Sequence, residues 1–166
     1  MIIVGILTIS DKGSRGERED KSGLEIERLV KDLPARMDAY EIIPDDKDII
    51  IDRLTDYVDK RGLDLIITTG GTGVAPRDVT PDATLKVIDK EVPGMAEAMR
   101  LEGLKKTPHA MISRAVVGVR KRSLIVNLPG SPKAVKENLE AILLSIPHAI
   151  DKIKGDTTEC GSPASA

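Results

Sequence analysis

Thr68-Thr69-Gly70-Gly71-Thr72-Gly73-Val74-Ala75-Pro76-Arg77-Asp78-Val79-Thr80-Pro81-Asp82-Ala83-Thr84 is the stretch whose reading decides the fold. Just before it, Leu63-Asp64-Leu65-Ile66-Ile67 is a short apolar, β-branched run of the kind that fills an interior parallel strand. Gly70, Gly71 and Gly73 then let the chain turn where Cβ atoms would clash. Thr80 reads as an N-cap, Pro81 as the first helical residue and Asp82 as a carboxylate at the positive end of the helix dipole, so a helix is predicted from Pro81. A strand, a glycine loop and a helix start in this order present free amide groups to an anion.

Gly70-Gly71-Thr72-Gly73 lacks the Lys-Ser/Thr of a P-loop and the third glycine of the dinucleotide fingerprint, so neither of those nucleotide motifs applies. A tight turn without a ligand is the plainer alternative. Arg77, Asp78 and Asp82 tip the reading towards chemistry, because a loop that only turns has no need of acidic and basic side chains at its apex.

Outward from this block, strands alternate with helices. Ile2 to Thr8 reads as a buried strand, and apolar residues at 24, 26, 29, 30 and 33 mark a helix stopped by Pro34. Met37 to Ile43 is a second strand, Pro44-Asp45-Asp46 a turn, and apolar positions 50, 51, 54, 57 and 58 the next helix, with Asp48 as a candidate cap. Pro93 opens another helix. Val116 to Val119 and Ser123 to Leu128 are strands about the basic turn Arg120-Lys121-Arg122, and Ser131-Pro132 caps a further helix, followed by one over 146–153. The pattern predicts a three-layer α/β/α sandwich with a mostly parallel sheet. Loops 9–16, 44–47, 69–80 and 129–133 leave the strand ends and are expected to converge on one pocket at a change in strand order.

The chain has 166 residues, which fits a single domain, expected over 1–154 with a flexible tail over 155–166. Its net charge of −2 gives no global attraction to nucleic acid or membrane, so anion binding must be local. Two Tyr, no Trp and no Phe disfavour a base-stacking platform. One cysteine, Cys160, excludes an internal disulfide and a paired-cysteine metal site, which suits a reducing cytoplasm. The apolar start is too short for a signal peptide and no later run reaches spanning length, so a cytoplasmic location is expected.

Asp45 and Asp78 lie in different loops at strand ends. If the loops meet, two carboxylates face one anionic ligand, an arrangement that calls for a divalent cation between them. A Mg2+-dependent phosphoryl or nucleotidyl transfer follows, with the glycine-loop amides holding the remaining phosphate oxygens. The plainer reading of either Asp is a turn or cap residue, and Asp46 and Asp48 fit that reading better. Leu128-Pro129-Gly130-Ser131-Pro132 is a second candidate anion loop. Ser10-Asp11 and Ser113-Arg114 are polar clusters that could equally cap or bridge backbone, and His109 and His148, with no second His or carboxylate at ligand spacing, are assigned to surface or core.

Thr8-Ile9-Ser10-Asp11, the Thr68–Thr84 block, Ser113-Arg114-Ala115 with Gly118, and Asn127-Leu128-Pro129-Gly130-Ser131-Pro132-Lys133 together resemble the molybdopterin adenylyltransferases of molybdenum cofactor biosynthesis, relatives of the gephyrin amino-terminal domain. The resemblance covers residue 2 to about 154 and implies a molybdopterin-binding-like fold that assembles as a homotrimer. It implies transfer of AMP from ATP to molybdopterin, release of pyrophosphate, and delivery of the product to a molybdate-inserting enzyme. It assigns Asp45 and Asp78 to catalysis, and the paired-carboxylate reading has the same two acids sharing Mg2+. Thr69, Gly70, Gly71, Thr72, Gly73, Asp82, Gly130 and Ser131 match nucleotide and pterin phosphate positions, and Ser10, Asp11 and Ser113 match substrate-facing ones. A paralogous, often hexameric branch, in which adenylylation can be lost, leaves a non-catalytic pterin carrier as the alternative. Arg77-Asp78-Val79-Thr80-Pro81-Asp82 places the chain with the active branch. At this length there is no expected room for the extra domains of the molybdate-inserting enzyme. The Val92–Arg100 segment, rich in small residues and Met, offers a helix face that could pack on a neighbouring protomer, packing within the chain being the plainer alternative.

Overall fold

Leu65–Thr69, the strand ahead of the glycine loop, lies inside a six-stranded sheet, and all of its residues are buried because helices cover both faces. The computed structural model describes residues 1–158, so Cys160 and most of the expected tail lie outside the described residues. In chain order the elements are β1 (Ile2–Ile9), α1 (Asp11–Ser14), α2 (Lys21–Val30), β2 (Ala35–Ile43), α3 (Lys47–Thr55), β3 (Leu65–Thr69), α4 (Thr80–Val87), β4 (Lys90–Glu91), α5 (Pro93–Leu104), β5 (Val117–Arg120), β6 (Ser123–Leu128), α6 (Pro132–Ile142) and α7 (Ile146–Ile153).

The strand order is β2-β1-β3-β6-β5-β4. β2, β1, β3 and β6 run parallel, with Val4 opposite Leu65 and Leu65 opposite Leu124. β5 turns back antiparallel on β6, and β4 is antiparallel to β5, so the sheet is mostly parallel, as the alternation of elements predicts. Side chains alternate across the sheet and seed two cores. One gathers Val4, Ile6, Leu65, Ile67, Leu124 and Val126 with residues of α2, α5, α6 and α7; the other gathers Leu7, Ile9, Ile66 and Ile125 with Ile50, Leu54, Tyr57, Ala83 and Val87 on the opposite face. These are the three layers.

Several details depart from the sequence reading. β2 begins at Ala35 rather than Met37, since the carbonyl of Pro34 already accepts the Ile2 amide at 2.8 Å and aligns the chain beside β1. α3 is capped by Asp46, whose carboxylate accepts the Asp48 and Ile49 amides; Asp48 lies inside the helix. α4 begins at Thr80, not after it, and the Thr80 side chain makes no cap bond. The methionine face of α5 turns inward: Met95, Ala96 and Met99 are buried in this chain's own core, and the apolar residues left exposed around α5 are Leu101 and Leu104. α1, β4 and a 3-10 turn over Pro108–Ile112 are too short to have left a periodic signal.

Candidate active site

The site lies where the connections of the parallel sheet diverge. β1 leads to β2 on one side, while β3 and β6 lie on the other, so a crevice opens between the carboxyl ends of β1 and β3. Gly70, the first residue after β3, has φ +100°, and a Cβ there would stand 2.3 Å from the carbonyl oxygen of Ile9 at the end of β1. Its amide donates to the Leu128 carbonyl at the end of β6, at 3.1 Å. The glycine loop is thus seated between two strand ends, a placement open only to glycine.

A cleft of about 810 Å³ occupies the crevice. All four strand-end loops reach it, through Ser10 and Gly13, Asp45, Thr69 to Gly71, and Gly130 to Pro132. Arg18, Glu19, Asp20, Lys21 and Ser22 form a further wall that the motif reading did not single out; a charged stretch before a helix carries no distinguishing sequence signal. Two of the hydroxyls are partly committed. Ser10 accepts the Gly13 amide and caps α1, and Ser131 accepts the Ala134 amide and caps α6. Thr69 donates to the Pro129 carbonyl at 2.6 Å, tying the glycine loop to the Gly130-Ser131 loop. Thr72, Gly73 and Ser113, expected at the same pocket, instead line a second cavity of about 250 Å³ beside α5 and α6. Asp11, Asp78 and Asp82 line neither. His109 is exposed at the edge of the second cavity.

The acidic residues are held by their loops in different ways. Asp45 Oδ2 accepts the Asp11 amide at 2.8 Å, and Asp11 Oδ1 accepts the Asp45 amide at 3.1 Å. Arg77 reaches from the apex of the glycine block to clamp Asp11 with both ends of its guanidinium, at 2.7 and 2.8 Å. Asp78 Oδ2 accepts the Ala75 amide at 2.9 Å and leans on the loop so closely that a Cβ on Gly73 would stand 2.8 Å from it. Asp82 pairs through both oxygens with Arg114, at 3.1 and 3.0 Å.

The electrostatics differ correspondingly. The Arg77 guanidinium holds the Asp11 carboxyl below its ordinary range, and Arg114 does the same for Asp82. Burial pushes Asp45 up; the Asp11 amide opposes this, and the charges of Asp11 and Asp78 add to the rise. The nearby Arg77 charge opposes the rise without cancelling it, so Asp45 is a half-buried acid whose protonated form the fold favours. Asp45 Oδ1 and Thr80 Oγ1 close over Gly71, at 3.3 and 2.5 Å from where its Cβ would be, and the Thr80 hydroxyl is buried without a hydrogen-bond partner among the described residues. An under-neutralised carboxylate beside an orphaned hydroxyl fits a hard cation such as Mg2+. Among the described residues no group of three or more His, Cys, Asp or Glu side chains is placed to hold a metal ion.

Fold and cleft together define an α/β protein with its ligand crevice at the switch point of a parallel sheet. The chain belongs to the family described as the probable molybdopterin binding domain, which matches residues 5–148. It is 45% identical over 157 residues to the molybdopterin adenylyltransferase of Helicobacter pylori, covering 93% of this chain and 89% of that protein. The solved structure of the molybdopterin biosynthesis enzyme MoaB from Thermus thermophilus superposes with a TM-score of 0.89 at 54% identity, over 94% of this chain and 98% of that one. Gephyrin of Dictyostelium discoideum is 42% identical over 161 residues, which span 91% of this chain but 22% of gephyrin.

Proposed function

We propose that this protein is a molybdopterin adenylyltransferase, which transfers AMP from ATP to molybdopterin and releases pyrophosphate. The observation that carries the reading is the convergence of the glycine loop, Asp45 and the Gly130-Ser131 loop on one cleft at the switch point, in a chain 45% identical to an enzyme of that name. A phosphate oxygen of molybdopterin attacks the α-phosphorus of ATP, the bond from that phosphorus to the bridging oxygen breaks, and the electron pair leaves with pyrophosphate. Gly71 and Gly130 offer amides, and Ser10 and Ser131 hydroxyls, to phosphate oxygens around the cleft, with Gly70 seating the glycine loop between strand ends and Thr69 bracing the two loops. Thr72, Gly73 and Ser113 address the substrate from the second cavity, on the other side of the same loop. Asp11 with Arg77, and Asp82 with Arg114, hold the loops in register.

Asp45 and Asp78 would hold Mg2+, which when bound supplies neutralisation of the phosphate charge and polarises the bond to the leaving group. The Asp45 carboxylate lies over Gly71 and that of Asp78 over Gly73, so the two acids flank one loop.

Assembly is proposed as a homotrimer, with Leu101, Leu104, Met111 and Ile112 as the exposed apolar residues that a neighbour would cover. The product would pass to a molybdate-inserting enzyme, and a cytoplasmic location accords with ATP as donor; among the described residues no helix is long and apolar enough to cross a membrane.

Incubation of the protein with ATP, Mg2+ and molybdopterin is expected to give pyrophosphate and adenylylated pterin. Tight pterin binding with no pyrophosphate would overturn the reading in favour of a carrier. Light scattering at dilute and concentrated protein is expected to give three times the chain mass; an active monomer would reject the assembly and leave the chemistry standing.

A further inference from the structure

We propose that Arg114 is a positioning residue for the reaction, a staple that fixes the Gly73–Asp78 turn and through it the carboxylate of Asp78. Its guanidinium Nε donates to the Gly73 carbonyl at 2.8 Å, and Nη2 donates to the Asp78 carbonyl at 2.6 Å. Those two carbonyls are the two ends of the turn. Nη1 and Nη2 are simultaneously held by both carboxylate oxygens of Asp82, in the first turn of α4, and the Arg114 amide donates to the Thr72 carbonyl at 2.8 Å. The planar fork therefore joins the start of the turn, its end and the helix that follows.

Apart from the Arg77–Asp11 ion pair at its exposed apex, the turn has little else to hold it. Val74, Ala75, Pro76 and Arg77 are exposed, and the bonds that close it locally are those from the Ala75 amide to Asp78 Oδ2 and from the Asp78 amide to the Ala75 carbonyl, both at 2.9 Å. Without the fork, the Asp78 carboxylate would keep its local bond but lose its fixed relation to Gly73 and Gly71. Lysine cannot substitute. One ammonium presents a point charge to Asp82, whereas the geometry needs donors that reach two carbonyls and a carboxylate in one plane.

The catalytic half of this proposal rests on the adenylyl-transfer reading, and the staple itself does not, so the test has two arms. In amide hydrogen exchange of the free protein, Arg114→Ala and Arg114→Lys are both expected to exchange the 74–80 amides about ten-fold or more faster, with the β3 and β6 amides unchanged. In pyrophosphate release, both are expected to lose about 10²-fold in kcat with a much smaller change in the KM for ATP, and millimolar guanidinium is expected to restore part of the Arg114→Ala rate. Arg120→Ala is the control. Arg120 also ties a carbonyl, that of Val87, to a carboxylate, that of Asp59, far from the cleft, and its loss is expected to lower stability while leaving the 74–80 amides and kcat unchanged. Unaltered exchange in Arg114→Ala would overturn the staple. Full activity in Arg114→Lys, or a loose turn with normal kcat, would overturn its role in positioning. A wild type that releases no pyrophosphate would defeat the adenylyl-transfer reading and the catalytic half with it, leaving the exchange arm to decide the staple.

Discussion

Asp11 and Asp45 exchange backbone and side chain reciprocally: each carboxylate accepts the other's amide, at 2.8 and 3.1 Å. Two acids that ought to repel are thus fastened together by main-chain donors, and the loops after β1 and β2 are locked at the mouth of the cleft. Arg77 pairs directly with Asp11 and acts on Asp45 only through space, without cancelling its burial. Asp45 keeps its charge at a disadvantage that a cation can relieve.

That disadvantage gives a pH dependence of definite sign. Asp45 has its pKa raised, first by burial and then by the charges of Asp11 and Asp78, so the fold favours its protonated form. Its contribution to stability is present below the ordinary aspartate range and is lost as pH rises through the raised folded value. Asp45→Asn is expected to be more stable than wild type at pH 7, and the difference is expected to vanish in acid. Denaturant midpoints of both proteins from pH 4 to 8 would show it; a variant less stable at every pH would contradict it.

Asp59 has the opposite sign. Hydrogen bonds from Arg120 and Lys121 lower its pKa to about 2, so its ion pairs stabilise the fold above the ordinary value of 3.8 and are lost as pH falls towards the folded one. Asp59→Asn is expected to be less stable than wild type at pH 7 and to match it near pH 2. Because the group is exposed the effect should shrink in high salt, which a midpoint series in NaCl would test.

Asp78→Asn retains an oxygen able to accept the Ala75 amide while removing the charge. A loss of about 10²-fold or more in pyrophosphate release is expected with near-normal folding, by analogy with removal of one electrostatic stabiliser. Circular dichroism and rate measured on one sample would decide. Full activity in an unstable variant would make Asp78 a loop cap and nothing more.

Asn127→Leu keeps the volume of a fully buried side chain on β6 and removes its polarity. Asn127 Nδ2 donates to the hydroxyls of Thr68 and Thr84, at 3.0 and 2.9 Å, and Oδ1 accepts the Val116 amide at 3.2 Å. It links β3, α4 and the approach to β5 directly behind the glycine loop. Orphaning these buried groups is expected to destabilise the protein by on the order of 3 kcal/mol. Equilibrium unfolding in urea would measure it.

The parts of the architecture legible in the sequence are those with long-range pattern. The β-branched run at Leu65–Ile67 declared a doubly covered strand, and the strand-helix alternation declared the parallel sheet. Ser131-Pro132 marked the α6 start correctly, whereas Thr80-Pro81 carried the same signal and misled by one residue, because Thr80 is buried under Gly71 where its hydroxyl cannot reach back to cap. The loops that meet at the cleft could be named in advance because topology places them there. What they do to one another could not. The division of the glycine block between two cavities, the Arg18–Ser22 wall and the reach of Arg114 across the turn all depend on side-chain direction over separations that no local spacing encodes. The inward turn of Met95 and Met99 stays open in the sequence for a related reason: an apolar helix face announces that it will be covered, not by which chain.

The hydroxyl of Thr80, buried without a hydrogen-bond partner among the described residues, is a point of local frustration where the glycine loop meets its helix. Replacing that hydroxyl with a methyl group, as in Thr80→Val, would remove the unpaired group at nearly constant volume. The junction of glycine loop and helix is therefore a place where the chain gives up a little stability, in contrast to the satisfied Asn127 network beside it.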